Sequence, residues 1–518
     1  MKQNNFMSGC AGCPMNRRNF LARGAAATAG AVGALAAPWS EAAPARRKTR
    51  IHLIYALHGP QQDRADWPNK GFDFQPRMER ITKELTRRCA GCEFVTSMAT
   101  GEEEAKKLLA SDQAAGNIDG YLVYQMNCWN RVVQTFAASG KPVLYADFSF
   151  GGSGGFLVYN ATFLRQATPN VGFVASSRMD DVVSAVDCFP AATTPAEFVA
   201  ATEQLRRRST PKPGNPARKA DAVNCLSAEE CLRRCKGLKL LAVRSQEAGP
   251  ETQIMGIKVQ PITFSELNEA WKAANPGEAR AIAERWAKAA KKVSEVSPET
   301  LQSSAAMYLA EKALLKKHEA KGITINCLGG FYGGHIHAYP CLGFHQLNSD
   351  GLVGGCECDI RSAVTMLAGN TLTQGRPGYI SDPVLDTAKR RIIYAHCVAS
   401  NKPFGPQGAA NPFEILTHSE DRQGASVRSL LPVGYLTTSL EFEQSRKEIL
   451  LHQAVTVAND PDDRACRTKL CAEPLGEFEK LFRMWDQWSW HRVTFYGDLK
   501  QPVYALAEAL GWKVVEET

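Results

Sequence analysis

Short, almost continuously apolar runs recur along the chain. Between them lie stretches whose apolar positions return every three or four residues. Ile51 to Ala56, Tyr121 to Met126, Pro142 to Asp147 and Val171 to Ala175 have the length and composition of strands covered on both faces. Met78 to Arg88 and Glu102 to Ala110 carry the helical period. Strands alternating with amphipathic helices predict a parallel α/β layer. From Arg206 to Lys219 the period is lost among Arg, Pro and Lys, which predicts a polar connector. A second α/β region begins at Leu238 to Val243. Asn275-Pro276 is a helix start signal, and Glu278 to Val293 predicts a charged helix with Ile282, Trp286 and Val293 inward. Ile323 to Leu328 reads as another strand. Beyond Tyr379 the pattern turns β-rich and closes with a helix near Val503 to Leu510.

These readings give an α/β chain of two Rossmann-like parallel-sheet domains, 46–190 and 191–375, followed by a β-rich C-terminal domain, 376–518. A length of 518 residues, 44% hydrophobic and 22% charged, suits several packed cores and argues against a disordered or fibrous chain. A net charge of +8 is small for that length and gives no reason to expect a nucleic-acid partner. No apolar run reaches the length needed for a permanent membrane span.

The first 45 residues read as an address. Asn16-Arg17-Arg18-Asn19-Phe20-Leu21 sets a twin arginine before an apolar pair. An Ala- and Gly-rich stretch, Ala25 to Ala37, follows, and Ala43-Pro44-Ala45 offers a small-residue cleavage site. This resembles a twin-arginine (Tat) signal, read by the Tat export machinery through Arg17 and Arg18, and predicts a periplasmic or other extracytoplasmic location. That route carries folded proteins, so a cation could be acquired before export. Fourteen cysteines remain beyond the signal. In an oxidising compartment they could be disulfides, or they could stay buried thiols; their spacing matches no strong metal template.

The Gly-rich stretch Gly151 to Gly155 follows a strand but lacks the Lys and Ser/Thr of a phosphate loop, so it reads as a flexible turn. The informative block is Leu347 to Asp359, then a helix over Ile360 to Leu372, then Pro377-Gly-Tyr-Ile-Ser-Asp382. Gly351 to Cys356 and Gly378 to Ser381 read as the two strands of a βαβ unit. Glu357 and Asp382 then fall just past the carboxyl ends of neighbouring parallel strands, where open α/β sheets bind ligands. Two acids meeting there call for a divalent cation, unless both are ordinary surface carboxylates.

The block resembles the L-fucose isomerase family. Glu357-Cys-Asp359, Val364-Thr-Met-Leu-Ala-Gly369, Asn370-Thr-Leu-Thr373 and Asp382 follow that family's pattern in order. Trp490-His491-Arg-Val-Thr-Phe-Tyr-Gly497, with the helix after it, resembles the segment that supplies the family's histidine ligand. The resemblance is firm over about 347–400 and 486–515. It implies Glu357, Asp382 and His491 as ligands of a divalent metal, most often Mn²⁺, with Glu357 and Asp382 also catalytic. It implies aldose–ketose isomerisation of a monosaccharide or related polyol through an enediol, and a homo-oligomer, trimer or hexamer. Cysteines flanking Glu357 and the export signal depart from the familiar members. A catalytically silent sugar-binding protein, or an epimerase or dehydratase of the same fold, therefore stands beside the isomerase.

Further candidates are softer. Asp359 can position Glu357 or cap the following helix. His396 can face the sugar or be structural. His335 and His337 lie in the Gly-rich stretch Gly329 to His337, where alternation on a strand would put both on one face, for loop hydrogen bonds, substrate or a second metal. Trp490, with Trp485 and Trp488, can stack on a sugar or pack in the core.

Overall fold

The computed structural model describes residues 47–488 and 490–518; the twin-arginine segment, Arg17 and Arg18 included, lies outside the described residues. Residues 48–518 form one compact unit. The first sheet contains β1 (Thr49–Ala56), β2 (Cys92–Ala99), β3 (Gly120–Gln125), β4 (Val143–Asp147) and β5 (Val171–Val174) in the order β2-β1-β3-β4-β5. All its pairings are parallel. The apolar runs are buried on both faces, as helices cover both sides. The strand order reverses between β1 and β3, and the segments leaving those two strands bracket a crevice.

Gly151 and Gly152 do not form a loose turn. A Cβ at Gly152 would sit 2.1 Å from the Gln125 carbonyl oxygen, and one at Gly151 2.5 Å from that of Met126. The glycines let the helix Ser153–Arg165 start hard against the end of β3. The predicted connector begins later than expected. Arg206 belongs to the helix Pro195–Ser209, is buried, pairs with Glu479 at 2.9 Å and lies over the Phe173 ring.

The second sheet is built from β6 (Lys239–Ser245), β7 (Thr252–Ile254) and β8 (Ile257–Thr263). After β9 (Lys292–Ser294), which joins a small separate sheet, it takes β10 (Gly322–Ile325) and β11 (Val353–Gly355). Its order is β11-β10-β6-β8-β7, parallel except for the β7–β8 hairpin. Asn275 caps the helix Pro276–Ala289, which buries Ile282 and Trp286. Val293 is not on it: it lies on β9 and is 37% exposed. The run from Ile323 stops as a strand at Ile325, and Asn326 caps a short helix, Cys327–Tyr332.

The remaining strands are β12 (Tyr379–Asp386), β13 (Arg391–His396), β14 (Phe413–Leu416), β15 (Ser426–Ser429), β16 (Leu436–Glu443), β17 (Glu448–Asn459), β18 (Thr468–Pro474), β19 (Arg492–Tyr496) and β20 (Lys513–Glu516). β14 and β15 complete the small sheet with β9. Six others run β16-β19-β12-β13-β18-β17, and the long β17 pairs back onto β16, closing an antiparallel barrel; β20 adds to β17. Closure leaves those six strands without a free edge.

The predicted βαβ unit is therefore not one. β11 belongs to the second sheet and β12 to the barrel, and the helix Ile360–Leu372 crosses from one to the other. Asp382 lies within β12, opposite Ala395 of β13, rather than past a strand end. The helix is pinned to the barrel by buried Glu441, which accepts from Ser362 Oγ at 3.1 Å, and by Thr365 Oγ1, which accepts from the Phe442 amide at 3.1 Å. Arg361 adds an ion pair to Glu443 at 2.7 Å.

Candidate metal centre and adjoining cavity

Glu357 follows β11 in a turn where it and Cys358 both adopt left-handed backbone, φ 60° and 51°. For non-glycine residues such a pair costs on the order of 1–3 kcal/mol each and persists only where the surroundings enforce it. Here the Cys358 amide donates to the Ile325 carbonyl at 2.9 Å, and Asp359 then caps the helix by accepting from the Ser362 amide at 3.0 Å. The turn aims the Glu357 carboxylate off the second sheet and over one rim of the barrel.

Three neighbouring barrel strands supply the rest. Asp382 comes from β12, His396 ends β13, and His491 immediately precedes β19. Ser381 pairs with Arg492, so the next step along the rim sets Asp382 beside His491. Glu357, Asp382, His396 and His491 each offer a donor atom within 4.8 Å of the others. His491 Nε2 is 3.5 Å from Glu357 Oε2 and 3.5 Å from Asp382 Oδ1; His396 Nε2 is 3.7 Å from Glu357 Oε1. The two imidazoles are buried, and neither Nε2 has a hydrogen-bond partner.

The opposite ring nitrogens are held. Asp359 Oδ2 lies 3.0 Å from His491 Nδ1, so Asp359 is both helix cap and orienter of the imidazole. His396 Nδ1 accepts from the Cys397 amide at 2.9 Å. Burial pushes Asp382 up to about 7, the nearby Glu357 charge adds to that, and His491 opposes it. Burial likewise raises Glu357. Burial alone would lower His491, but the hydrogen bond to Asp359 and the charges of Asp382 and Glu357 raise it to about 10. The group therefore draws positive charge to its centre.

These residues fit a divalent cation. Donors about 2.1 Å from one ion and 90–110° apart at it lie about 3.0–3.5 Å from each other, close to the separations found. Two buried, unpartnered Nε2 atoms facing two carboxylates are costly unless something binds both. Oxygen and imidazole donors suit Mn²⁺, Fe²⁺ or Zn²⁺ alike.

The group opens into a cavity of about 420 Å³. The crevice of the first sheet contributes Asp66, Trp67, Cys128, Trp129 and Gly154; the short helix after β10 contributes Leu328, Gly329 and Tyr332; the C-terminal region adds Pro383, Glu420, Trp485 and Trp490. Trp129 stacks on Trp490, ring centres 4.3 Å apart. Trp485 is buried and donates from Nε1 to the Trp490 carbonyl at 2.8 Å, fixing that wall. Trp488 does not line the cavity; Arg446 lies over its ring instead.

The cluster thus gathers Glu357, Asp382, His491 and His396, with Asp359 behind and Trp490 beside it. It does not gather His337, which is exposed and 5.9 Å from the Trp271 ring, nor His335, which stacks on Phe264 and bonds Gln246 at 2.7 Å. That stretch forms no strand, so the expected shared face is absent, and among the described residues neither histidine joins a metal-type group. All fourteen cysteines of the described residues are free thiols; the Cys327 and Cys356 sulfurs lie 3.6 Å apart. Asp66, Trp129, Tyr332 and Glu420 were not found from sequence. The position of Cys128-Trp129 just past β3, at the reversal of strand order, was the one available signal; isolated acids in loops gave none.

Fold and site together define an α/β protein whose parallel-sheet layers and C-terminal barrel carry an acid–imidazole group that opens into a solvent-accessible cavity. No protein-family model matches the chain. Among curated proteins it is similar to sulfoquinovose isomerases. One from Priestia aryabhattai is 31% identical over 103 residues, 19% of this chain and 22% of that protein. One from Clostridium sp. (strain MSTE9) is 25% identical over 214 residues, 39% of this chain and 46% of that protein. The chain spans less than half the length of these relatives. The similarity is thus to sugar isomerases of the fucose/arabinose isomerase-like kind, at low identity and over part of the chain. A solute-binding protein of an ABC transporter from Bacillus halodurans C-125, solved with myo-inositol, aligns over 62% of this chain and 89% of its own at 14% identity; its TM-score of 0.17 carries no argument. Among the described residues no helix is long and apolar enough to cross a membrane.

Proposed function

We propose that the protein is an aldose–ketose sugar isomerase that works by proton transfer through an enediol and depends on a divalent cation, Mn²⁺ by resemblance. The observation that carries this reading is the convergence of Glu357, Asp382 and two unpartnered imidazole nitrogens, drawn from four separate stretches, at the head of one cavity. The partial similarity to sulfoquinovose isomerases supports the reaction class.

Glu357, Asp382 and His491 would hold the cation, with His396 a fourth donor within reach. When bound, the cation supplies charge stabilisation for the two neighbouring sugar oxygens on which negative charge develops. The chain does the rest. Glu357 and Asp382 both line the cavity, so one carboxylate would take the proton from the carbon beside the carbonyl and the other would serve the neighbouring position. Asp359 fixes the His491 tautomer, keeping Nε2 directed at the acids. Trp129, Trp485 and Trp490 line one wall and would offer flat apolar surface to a sugar ring. We further propose that the chain is exported by the Tat route, on the strength of Arg17, Arg18 and Ala43 to Ala45. N-terminal sequencing of protein recovered from outside the cytoplasm tests that directly.

The functional test is a panel of aldoses and ketoses incubated with Mn²⁺-loaded protein in deuterated water. Exchange of a carbon-bound proton at position 1 or 2, abolished in Glu357→Gln with the fold intact, is the expected result. Full exchange in that variant refutes the assignment.

A further inference from the structure

A second cavity, of about 470 Å³, shares no lining residue with the one above. It lies past the carboxyl ends of three adjacent strands of the first sheet. Tyr124 comes from β3, Asp147 ends β4 with Ser149 just beyond, and Ser176 and Ser177 follow β5. That edge is where open parallel sheets take ligands. The helix Gln75–Arg88 supplies one wall through Arg77, Arg80, Glu84 and Arg88, spaced three or four residues apart along one face. Arg464 reaches in from the segment between β17 and β18.

The charges of this lining do not cancel. Arg88 is tied to Asp180 at 2.8 Å and Arg464 to Asp462 at 2.7 Å. Of the two lining acids, Glu84 is paired at 2.8 Å with Arg87, which is not in the lining. Asp147 accepts from Ser153 Oγ at 2.9 Å, and burial pushes it up to about 7. Ser176 and Ser177 direct their hydroxyls to Asp181 and Asp386, at 2.5 and 2.8 Å. Among the described residues the guanidiniums of Arg77 and Arg80 have no hydrogen-bond or ion-pair partner. Like charges three residues apart on one helix face repel unless an anion lies between them.

We propose that this cavity binds a phosphomonoester, its phosphoryl group held by Arg77 and Arg80 and its organic body against Ile81, Phe148, Met179 and Val182, which also line it. Two unpaired guanidiniums match a group that carries close to two negative charges at neutral pH. The planar fork of arginine suits phosphoryl oxygens, and the volume is that of a small-molecule site rather than of a bare ion. None of these residues belongs to the acid–imidazole group, so the site neither needs nor tests the isomerase reading.

The probes are phenyl phosphate, inorganic phosphate and phenol, titrated calorimetrically into the full chain in about 0.15 M NaCl, where diffuse surface attraction is screened. Phenyl phosphate is expected to saturate a single site and to bind about tenfold more tightly than inorganic phosphate, which should compete with it. Phenol should not compete. Arg77→Gln and Arg80→Gln, each checked for an unchanged melting profile, should each weaken phenyl phosphate binding by about tenfold. Arg87→Gln removes a charge from the same helix but not from this cavity, and should change binding by less than about twofold. No saturable binding of phenyl phosphate below about 10 mM overturns the proposal. So does an equal loss in Arg87→Gln, or undiminished binding in both Arg77→Gln and Arg80→Gln, as when the anion sits at the metal group instead. Inorganic phosphate binding as tightly as phenyl phosphate overturns the assignment of an ester.

Discussion

Replacing Asp359 by Asn separates two duties that one carboxylate performs. As a cap it accepts from the Ser362 amide at 3.0 Å; as an orienter it holds His491 Nδ1 at 3.0 Å. Asn caps helices about as well as Asp, so the fold should be preserved to within about 0.5 kcal/mol. The amide cannot match the charge-assisted bond to the imidazole, and second-layer partners of this kind are worth roughly 10–100-fold in metal affinity, or about 1.4–2.7 kcal/mol. Asp359→Asn should therefore weaken Mn²⁺ binding by about that factor at an unchanged melting temperature. Asp359→Ala should lose the same affinity and, in addition, about 1 kcal/mol of stability through the missing cap. Calorimetric titration with Mn²⁺ and a thermal melt of each variant suffice. If Asp359→Asn binds Mn²⁺ as the native protein does, Asp359 is only a cap and the argument for an oriented His491 fails.

Three further outcomes are expected. Burial would raise Glu517, yet the Arg492 and His452 charges and their hydrogen bonds hold it down to about 2; its contribution is in place above about pH 4.5 and lost as pH falls toward 2. The loss amounts to about 3 kcal/mol, so acid unfolding should flatten in Glu517→Gln over that window. Gly369→Ala would set a Cβ 2.2 Å from Phe495 Cζ at the contact of the crossing helix with the barrel; denaturant melts should register a loss of about 1–3 kcal/mol. Trp129→Ala removes half of the stacked wall and should weaken binding of an active sugar by about 1 kcal/mol, read as a roughly fivefold rise in KM with little change in kcat.

The first sheet was legible because its strands are buried on both faces. Only His52 breaks the apolar run from Ile51 to Ala56, and Tyr121 to Tyr124 is apolar up to the closing Gln125, so the runs mark themselves. The barrel was harder to read. β12 continues through Asp382-Pro383-Val384-Leu385-Asp386, where an acid and a proline imitate a strand end, although all five residues pair with β13. Val293 continued the apolar spacing of a helix that had already ended at Ala289. Motif resemblance singled out Glu357, Asp382 and His491 without locating them. The route to one rim, by a helix crossing between sheets, depends on contacts 77 to 132 residues apart, which no local pattern encodes. Glu420 and Asp66 sit in loops whose composition carries no period at all.

The crossing helix also bears on how the molecule would respond to losing its ion. Glu357 hangs from the second sheet, whereas Asp382, His396 and His491 belong to the barrel, so a bound cation would act as a rivet through the seam between two bodies. Chelation should loosen that seam first, through the hydrogen bonds of Glu441 and the Arg361–Glu443 pair, while both flanking sheets stay folded. Hydrogen exchange in the stretch 357–366 would then quicken well ahead of global melting.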